Sequence, residues 1–442
     1  MTVESLNSEL LESFAGNFAG DRAARIVQNA VTETSIKKVA MDRQVVTSID
    51  PSMSVKVDRW PNTNQKKSGR CWLFAGLNSF KSGVYADTKL ENFEFSQNYL
   101  HFWDKLEKAN FFLTSMIELA DRDVDDRTVH FLLSDPIEDG GQWNMFVSLV
   151  QKYGVVPKYT MPETESSSNT HEMNLTLENL LRRGARDLRG AVNDGGDVAA
   201  TKRSILEQVY RVLSIHLGTP PASFLWQWED KDGSFHREGE FTPLEFAAKY
   251  VPDLDEYVCL VNDPRQSSPY NHLFTVDRLG NVVGAKPVTY LNVPIEVIRD
   301  ATQATLEAGE AVWMGCDTSK QCDRKLGIWD GKLFDFEGTY GIDLEMSKAE
   351  ELEYGEALMT HAMVFTGVDV VDGETRRWRI ENSWGDEIAD KGFFTMNDSW
   401  FDQHVFEVAV RKDRLPAELL AVLETEPIVL PAWDPMGSLA RG

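Results

Sequence analysis

Cysteine is scarce in this chain, with four in 442 residues: Cys71, Cys259, Cys316 and Cys322. That excludes a disulfide-stapled secreted scaffold and points to a reducing, cytoplasmic setting. Basic residues are also in deficit, 45 against 70 acidic ones, for a net charge of −25. A surface of that sign repels phosphate backbones and anionic lipid, which argues against nucleic acid as a partner. No run of about 18 apolar residues is present, so no membrane helix is expected. Met1-Thr2-Val3-Glu4-Ser5-Leu6 lacks the basic start and apolar stretch of a secretory signal. Internal repeats and low-complexity tracts are missing too. Metal-site spacing is absent as well: Cys316 and Cys322 form a lone pair without further ligands, and Cys316 ends an apolar strand. They are expected to be structural thiols, as is Cys259 between Val258 and Leu260. No metal or cofactor is expected.

Three short segments carry chemistry. Gln65-Lys66-Lys67-Ser68-Gly69-Arg70-Cys71-Trp72 is followed far downstream by His361-Ala362-Met363 and then Asn382-Ser383-Trp384-Gly385. A cysteine, a histidine and an asparagine supply a sulfur nucleophile, its base, and an amide carbonyl that anchors the second ring nitrogen. Leu73, Leu77, Phe80 and Val84 recur at helical spacing after the Ser68-Gly69 turn. Cys71 is therefore expected in the first turn of a buried helix. There the helix dipole and an imidazolium would favour the thiolate. Gln65 is spaced to donate to an oxyanion, with the Cys71 N–H as second donor. Trp384 is expected to cover the His361–Asn382 bond. The seven other histidines have no such context.

These blocks resemble the catalytic segments of papain-like cysteine peptidases. The wider sequence is similar to one branch, the bleomycin hydrolases and bacterial aminopeptidases C. Further matching blocks are Phe95-Ser96-Gln97-Asn98-Tyr99-Leu100, Asp139-Gly140-Gly141-Gln142-Trp143, Asp323-Arg324-Lys325-Leu326-Gly327-Ile328 and Leu430-Pro431-Ala432-Trp433-Asp434-Pro435-Met436-Gly437. Simple papain-like enzymes place the histidine about 130–150 residues after the cysteine. Here the gap is 290 residues, and Asn382 follows 21 later. The resemblance implies that an insertion fills the gap. It also implies an α+β, papain-like two-lobe fold, with a helical lobe, a β-barrel-like lobe, a helical insertion and a C-terminal arm.

The expected division is one peptidase unit. Residues 1–160 hold the N-terminal segment and the helical lobe, beginning with an amphipathic stretch at Leu6, Leu10, Leu11, Phe14 and Phe18. Residues 161–258 are the helical insertion, which the resemblance assigns to contacts between subunits. The strand-rich lobe spans 259–425. Strands are predicted over 288–293, 311–316, 362–368, 376–381 and 405–410. Residues 426–442 form the arm.

Gly140-Gly141 reads either as the opening of the helix Trp143–Tyr153 or, by the resemblance, as a ledge where substrate backbone pairs. Two prolines stiffen a tail that composition alone would leave disordered. The resemblance instead places that arm in the cleft near Ala440, its carboxylate holding a substrate α-ammonium. Arg441-Gly442 extend the chain past the position where many relatives end. The implied activity is removal of N-terminal residues from peptides with free N-termini, and from bleomycin-like amides, by a homohexamer. An endopeptidase on the same scaffold and an idle oligomeric scaffold are the alternatives.

Overall fold

Helix formation starts at Cys71 itself. In the computed structural model, which describes residues 5–57 and 60–441, the helix Cys71–Asn78 has all eight residues buried. It does not run on through Val84 as its spacing predicts. Phe80 leaves the helical path at φ −111° and ψ 1°, and a second helix spans Lys81–Thr88. The break seats the Phe80 ring among Trp143, Phe146 and Tyr257. That aromatic packing outweighs one more turn of ladder.

The remaining helices of this lobe follow the sequence signals. Ser96 caps the helix Gln97–Glu118 by accepting the Tyr99 N–H at 3.0 Å. Gly154 ends the helix Trp143–Tyr153 at φ +73°. Two long helices, His171–Asp194 and Val198–Leu217, pack on Gln97–Glu118. Residues 161–258 are not helical throughout, however. Phe224–Glu229 and Phe235–Phe241 pair as an antiparallel hairpin. Phe224, Trp226 and Trp228 point to the protein side at period two, and Trp226 is wedged against Phe93, Phe246 and Tyr250.

The second lobe is a twelve-stranded sheet. Its central strand, His361–Val371, pairs antiparallel with Val312–Cys316 on one side and Glu374–Glu381 on the other. All five predicted strands form. Tyr257–Val261, His272–Val276 and Phe393–Asn397 join them, as does Val55–Lys56 from the N-terminal segment. One apolar cluster fills the helical lobe and the contact between lobes, and another lies between the sheet and the helix Ile295–Glu307. The amphipathic N-terminal segment is helical over Ser8–Gly20, but none of that helix is buried within the chain. Leu11, Phe14 and Phe18 stay exposed. Among the described residues no helix is long and apolar enough to cross a membrane.

Candidate active site

The helix Cys71–Asn78 packs against the start of the central strand, and this brings together side chains 290 residues apart. The Cys71 Sγ accepts the Ala362 N–H at 3.4 Å, one residue past His361. His361 opens the strand, in register with Cys316. Its Nε2 lies 2.8 Å from the Asn382 Oδ1, just beyond the end of the strand Glu374–Glu381. The same Oδ1 accepts the Ser383 N–H at 2.8 Å, so the amide cannot turn without losing both bonds. Trp384 lies over the imidazole with ring centroids 5.0 Å apart, and Arg324 stands 4.1 Å over the indole.

Gln65 is buried, and both ends of its amide are fixed. Its Nε2 donates to the Ser68 carbonyl at 2.6 Å, and its Oε1 accepts from Ser383 Oγ at 2.5 Å. The Gln65 N–H also donates to the Ser383 carbonyl at 2.8 Å, so this loop is stitched to the segment that carries Asn382. An NH₂ group has two protons. One is on Ser68, and the second is free for an oxyanion. Among the described residues no side chain caps the helix Cys71–Asn78; the Arg70 side chain turns away to Glu163.

The electrostatics differ from the expected ion pair. Burial pushes the Cys71 thiol up to about 11, against the N–H groups of Ala362, Trp72 and Cys71 itself. Burial likewise pushes His361 down to about 4; Asn382 opposes this and Arg324 adds to it. In each group burial disfavours the charged form and outweighs the hydrogen bonds that favour it.

Gly140 and Gly141 lie directly before the helix Trp143–Tyr153, as either reading requires. A Cβ on Gly141 would meet the Trp72 indole at 2.4 Å. Glycine is thus demanded there by Trp72, whatever else binds. The arm is ordered: Met436, Leu439 and Ala440 are buried in the cluster between the lobes. The Met436 carbonyl accepts from Gln142 Nε2 at 3.3 Å and Tyr290 Oη at 3.2 Å, and Ser438 Oγ donates to the Met359 carbonyl at 3.0 Å. Arg127 stacks 3.8 Å from the Trp433 ring, and Arg265 reaches Asp434 at 3.0 Å. The Arg441 side chain and the terminal carboxylate of Gly442 lie outside the described residues.

All four cysteines are free, and among the described residues no cluster of three or more His, Cys, Asp or Glu is placed to hold a metal. Ser383, Arg324 and Asp139 have no assigned role in the sequence reading, although each sits inside a matching block. Only their contacts single them out.

A helical lobe docked on a sheet lobe, with a buried cysteine at the helix start facing a histidine–asparagine pair, is the papain-like cysteine peptidase fold. The chain belongs to the Peptidase C1-like family, whose model matches residues 5–437. It is 41% identical to aminopeptidase C of Lactobacillus delbrueckii subsp. lactis, covering 99% of each chain. It is 43% identical to human bleomycin hydrolase over the full length of both. The crystal structure of PepW from Lactobacillus rhamnosis HN001 is 44% identical, covers 98% of this chain and 99% of that one, and superposes with a TM-score of 0.96.

Proposed function

We propose that the chain is a cysteine aminopeptidase in which Cys71 attacks the scissile carbonyl and His361 moves the proton. The reading is carried by one chain of contacts, Ala362 N–H to Cys71 Sγ and then His361 to Asn382, with Met436, Leu439 and Ala440 of the arm buried in the same cluster as Cys71. The full-length relatives named aminopeptidase C and bleomycin hydrolase support it.

His361 takes the thiol proton as sulfur bonds to the carbonyl carbon. It returns that proton to the leaving amine, and a thioester remains on Cys71. Water, activated by the same imidazole, then releases the acid. Asn382 keeps the imidazole oriented, and Trp384 shields that bond from water. The second Nε2–H of Gln65 and the Cys71 N–H receive the oxyanion.

Gly140 and Gly141 offer backbone to an extended peptide. The arm leaves room for only a short stretch ahead of the cleaved bond, so substrates are peptides with free N-termini and small amides that mimic them, including bleomycin-like amides. The homohexamer is part of the same reading, supported by the apolar face of Ser8–Gly20, which is left uncovered among the described residues. Residues 161–258 supply further subunit contacts. Four free thiols and the acidic surface support a cytoplasmic setting.

The test compares a fluorogenic aminoacyl amide with its N-acetylated twin under reducing conditions, with Cys71→Ala as control. Cleavage of the free-amine form alone, abolished in the variant, is expected. Equal cleavage of both forms would replace the aminopeptidase with an endopeptidase.

A further inference from the structure

A carboxylate outside the catalytic set touches three separate parts of the site at once. Asp139 is buried directly before Gly140-Gly141. Its Oδ2 accepts the Gly69 N–H at 3.0 Å and the Thr170 hydroxyl. Its Oδ1 accepts Asn174 Nδ2 at 2.9 Å and pairs with Lys105 Nζ at 2.7 Å. Its backbone carbonyl accepts the Trp72 indole N–H at 2.7 Å. The flanking carbonyls of Glu138 and Gly140 are both held by Lys108.

The Gly69 N–H and the Ser68 carbonyl belong to one peptide group. Asp139 grips that group by its N–H, and Gln65 Nε2 is anchored on its C=O at 2.6 Å. A glycine on one side makes rotation of this peptide easy, because Gly69 tolerates conformations other residues do not. Rotation would remove the anchor of Gln65 and turn its amide away from the oxyanion. We propose that Asp139 is a positioning residue that orients the Gln65 amide across the Ser68–Gly69 peptide, and so sets the oxyanion donor without touching substrate.

The inference rests on Cys71 being the nucleophile and Gln65 an oxyanion donor. The charge of Asp139 is part of the device. Burial alone would raise its carboxyl, but Lys105 and His101 with the bonds from Lys105 and Thr170 hold it well below the usual carboxylate range. An asparagine at 139 would face two donors on the Lys105 side, one of them charged, and would turn its oxygen there. Its NH₂ would then oppose the Gly69 N–H, donor against donor.

The experiment measures two reactions of Cys71 per titrated active site. Acylation by the aminoacyl amide passes through an oxyanion; alkylation by iodoacetamide does not. Asp139→Asn is expected to lower kcat/KM for the amide by about 100-fold, the scale of losing one oxyanion donor. Alkylation should stay within about threefold, because its transition state carries no oxyanion for the donor to stabilise. In a Gln65→Ala background the same change should cost little more, since residues acting through one another are not additive. Adding Lys105→Met to Asp139→Asn should recover part of the loss by freeing the amide to turn back. A general structural role would lower acylation and alkylation together, and that result overturns the assignment. So would an Asp139→Asn enzyme with kcat/KM within twofold of the parent. If Asp139→Asn does not fold, Thr170→Val and Asn174→Ala each remove one neutral bond from the same carboxylate. A fall in acylation without a fall in alkylation is expected of them, and equal or absent changes refute the idea. Activity surviving Cys71→Ala would instead sink the nucleophile assignment and leave Asp139 unexplained.

Discussion

Gly141→Ala should damage this enzyme through a tryptophan, not through a substrate. A methyl group built on Gly141 meets Cε2, Cδ2 and Cζ2 of Trp72 at 2.4 to 2.6 Å. Carbon atoms in contact prefer about 3.5–4.0 Å, so one partner must move by roughly 1 Å. The indole has little freedom: its N–H is bonded to the Asp139 carbonyl, the Lys108 ammonium lies 5.3 Å from its ring, and it is fully buried. Overpacking of this kind costs about 1–3 kcal/mol of stability. The effect on rate should be larger, because Trp72 adjoins Cys71 in the helix, and a shift of about 1 Å in a catalytic group costs on the order of 100-fold. The assay is kcat/KM per titrated thiol, alongside the thermal midpoint. Gly190→Ala is the control, since nothing lies within 4 Å of its added carbon in the middle of a helix. It should be neutral or stabilising by up to about 1 kcal/mol. A second change, Trp72→Leu, should restore part of the loss in Gly141→Ala, because leucine has no atoms at the Cε2 and Cζ2 positions that clash. Unchanged activity and midpoint in Gly141→Ala would refute the reasoning. Loss of activity that Trp72→Leu does not relieve would move the cause to the substrate ledge.

Asn382→Ala removes the acceptor of both His361 Nε2 and the Ser383 N–H. It should lower kcat at least about 100-fold, because the imidazole loses its preferred tautomer and orientation; steady-state kinetics with intact thermal unfolding check this. Stability should fall with acid. Burial lowers His361 to about 4 and His404 to about 3 from an ordinary 6.5. The unfolded chain therefore binds protons first as the pH drops. Stability is fully present above 6.5 and is lost progressively down to about 3, by several kcal/mol in total. Urea midpoints between pH 7 and 4 read the slope, and His404→Gln should flatten it; an unchanged slope would mean His404 is not titrating in the fold. The acid limb of kcat/KM should likewise fall near pH 4 rather than 6.5, since His361 must be neutral to accept the thiol proton.

Local patterns made much of this architecture visible in advance. The Ser68-Gly69 turn, the Ser96 cap and the Gly154 stop each mark a helix boundary within a few residues. The five predicted strands have strands as neighbours on both sides; four are mostly apolar runs, while 376–381 sets Trp378 and Ile380 among charged residues. The hairpin Phe224–Glu229 with Phe235–Phe241 was hidden because its partner strand is charged and mostly exposed, leaving only three inward aromatics as a signal. The break at Phe80 and the need for glycine at 141 are set by rings distant in sequence, so no local pattern reports them. Motif spacing singled out Cys71, His361, Asn382 and Gln65. It did not reveal the role of Ser383 or Asp139, since hydrogen bonds to a loop depend on how the lobes dock. Nor did it reveal how burial moves both groups away from their charged forms.

The wide separation of the two halves of the site has a consequence during synthesis. Ribosomes add about 5–20 residues per second. Between the emergence of Cys71 and that of His361 lie 290 residues, or roughly 15–60 seconds of elongation by the same rate. The strand Val55–Lys56 waits as long for its partner at Gly367 and Val368. Through that interval the nascent chain carries a thiol with no base and a loop with no Ser383 to lock it. Until the second segment has emerged the two halves of the site cannot meet, so a chain wired this way is silent while it is being made.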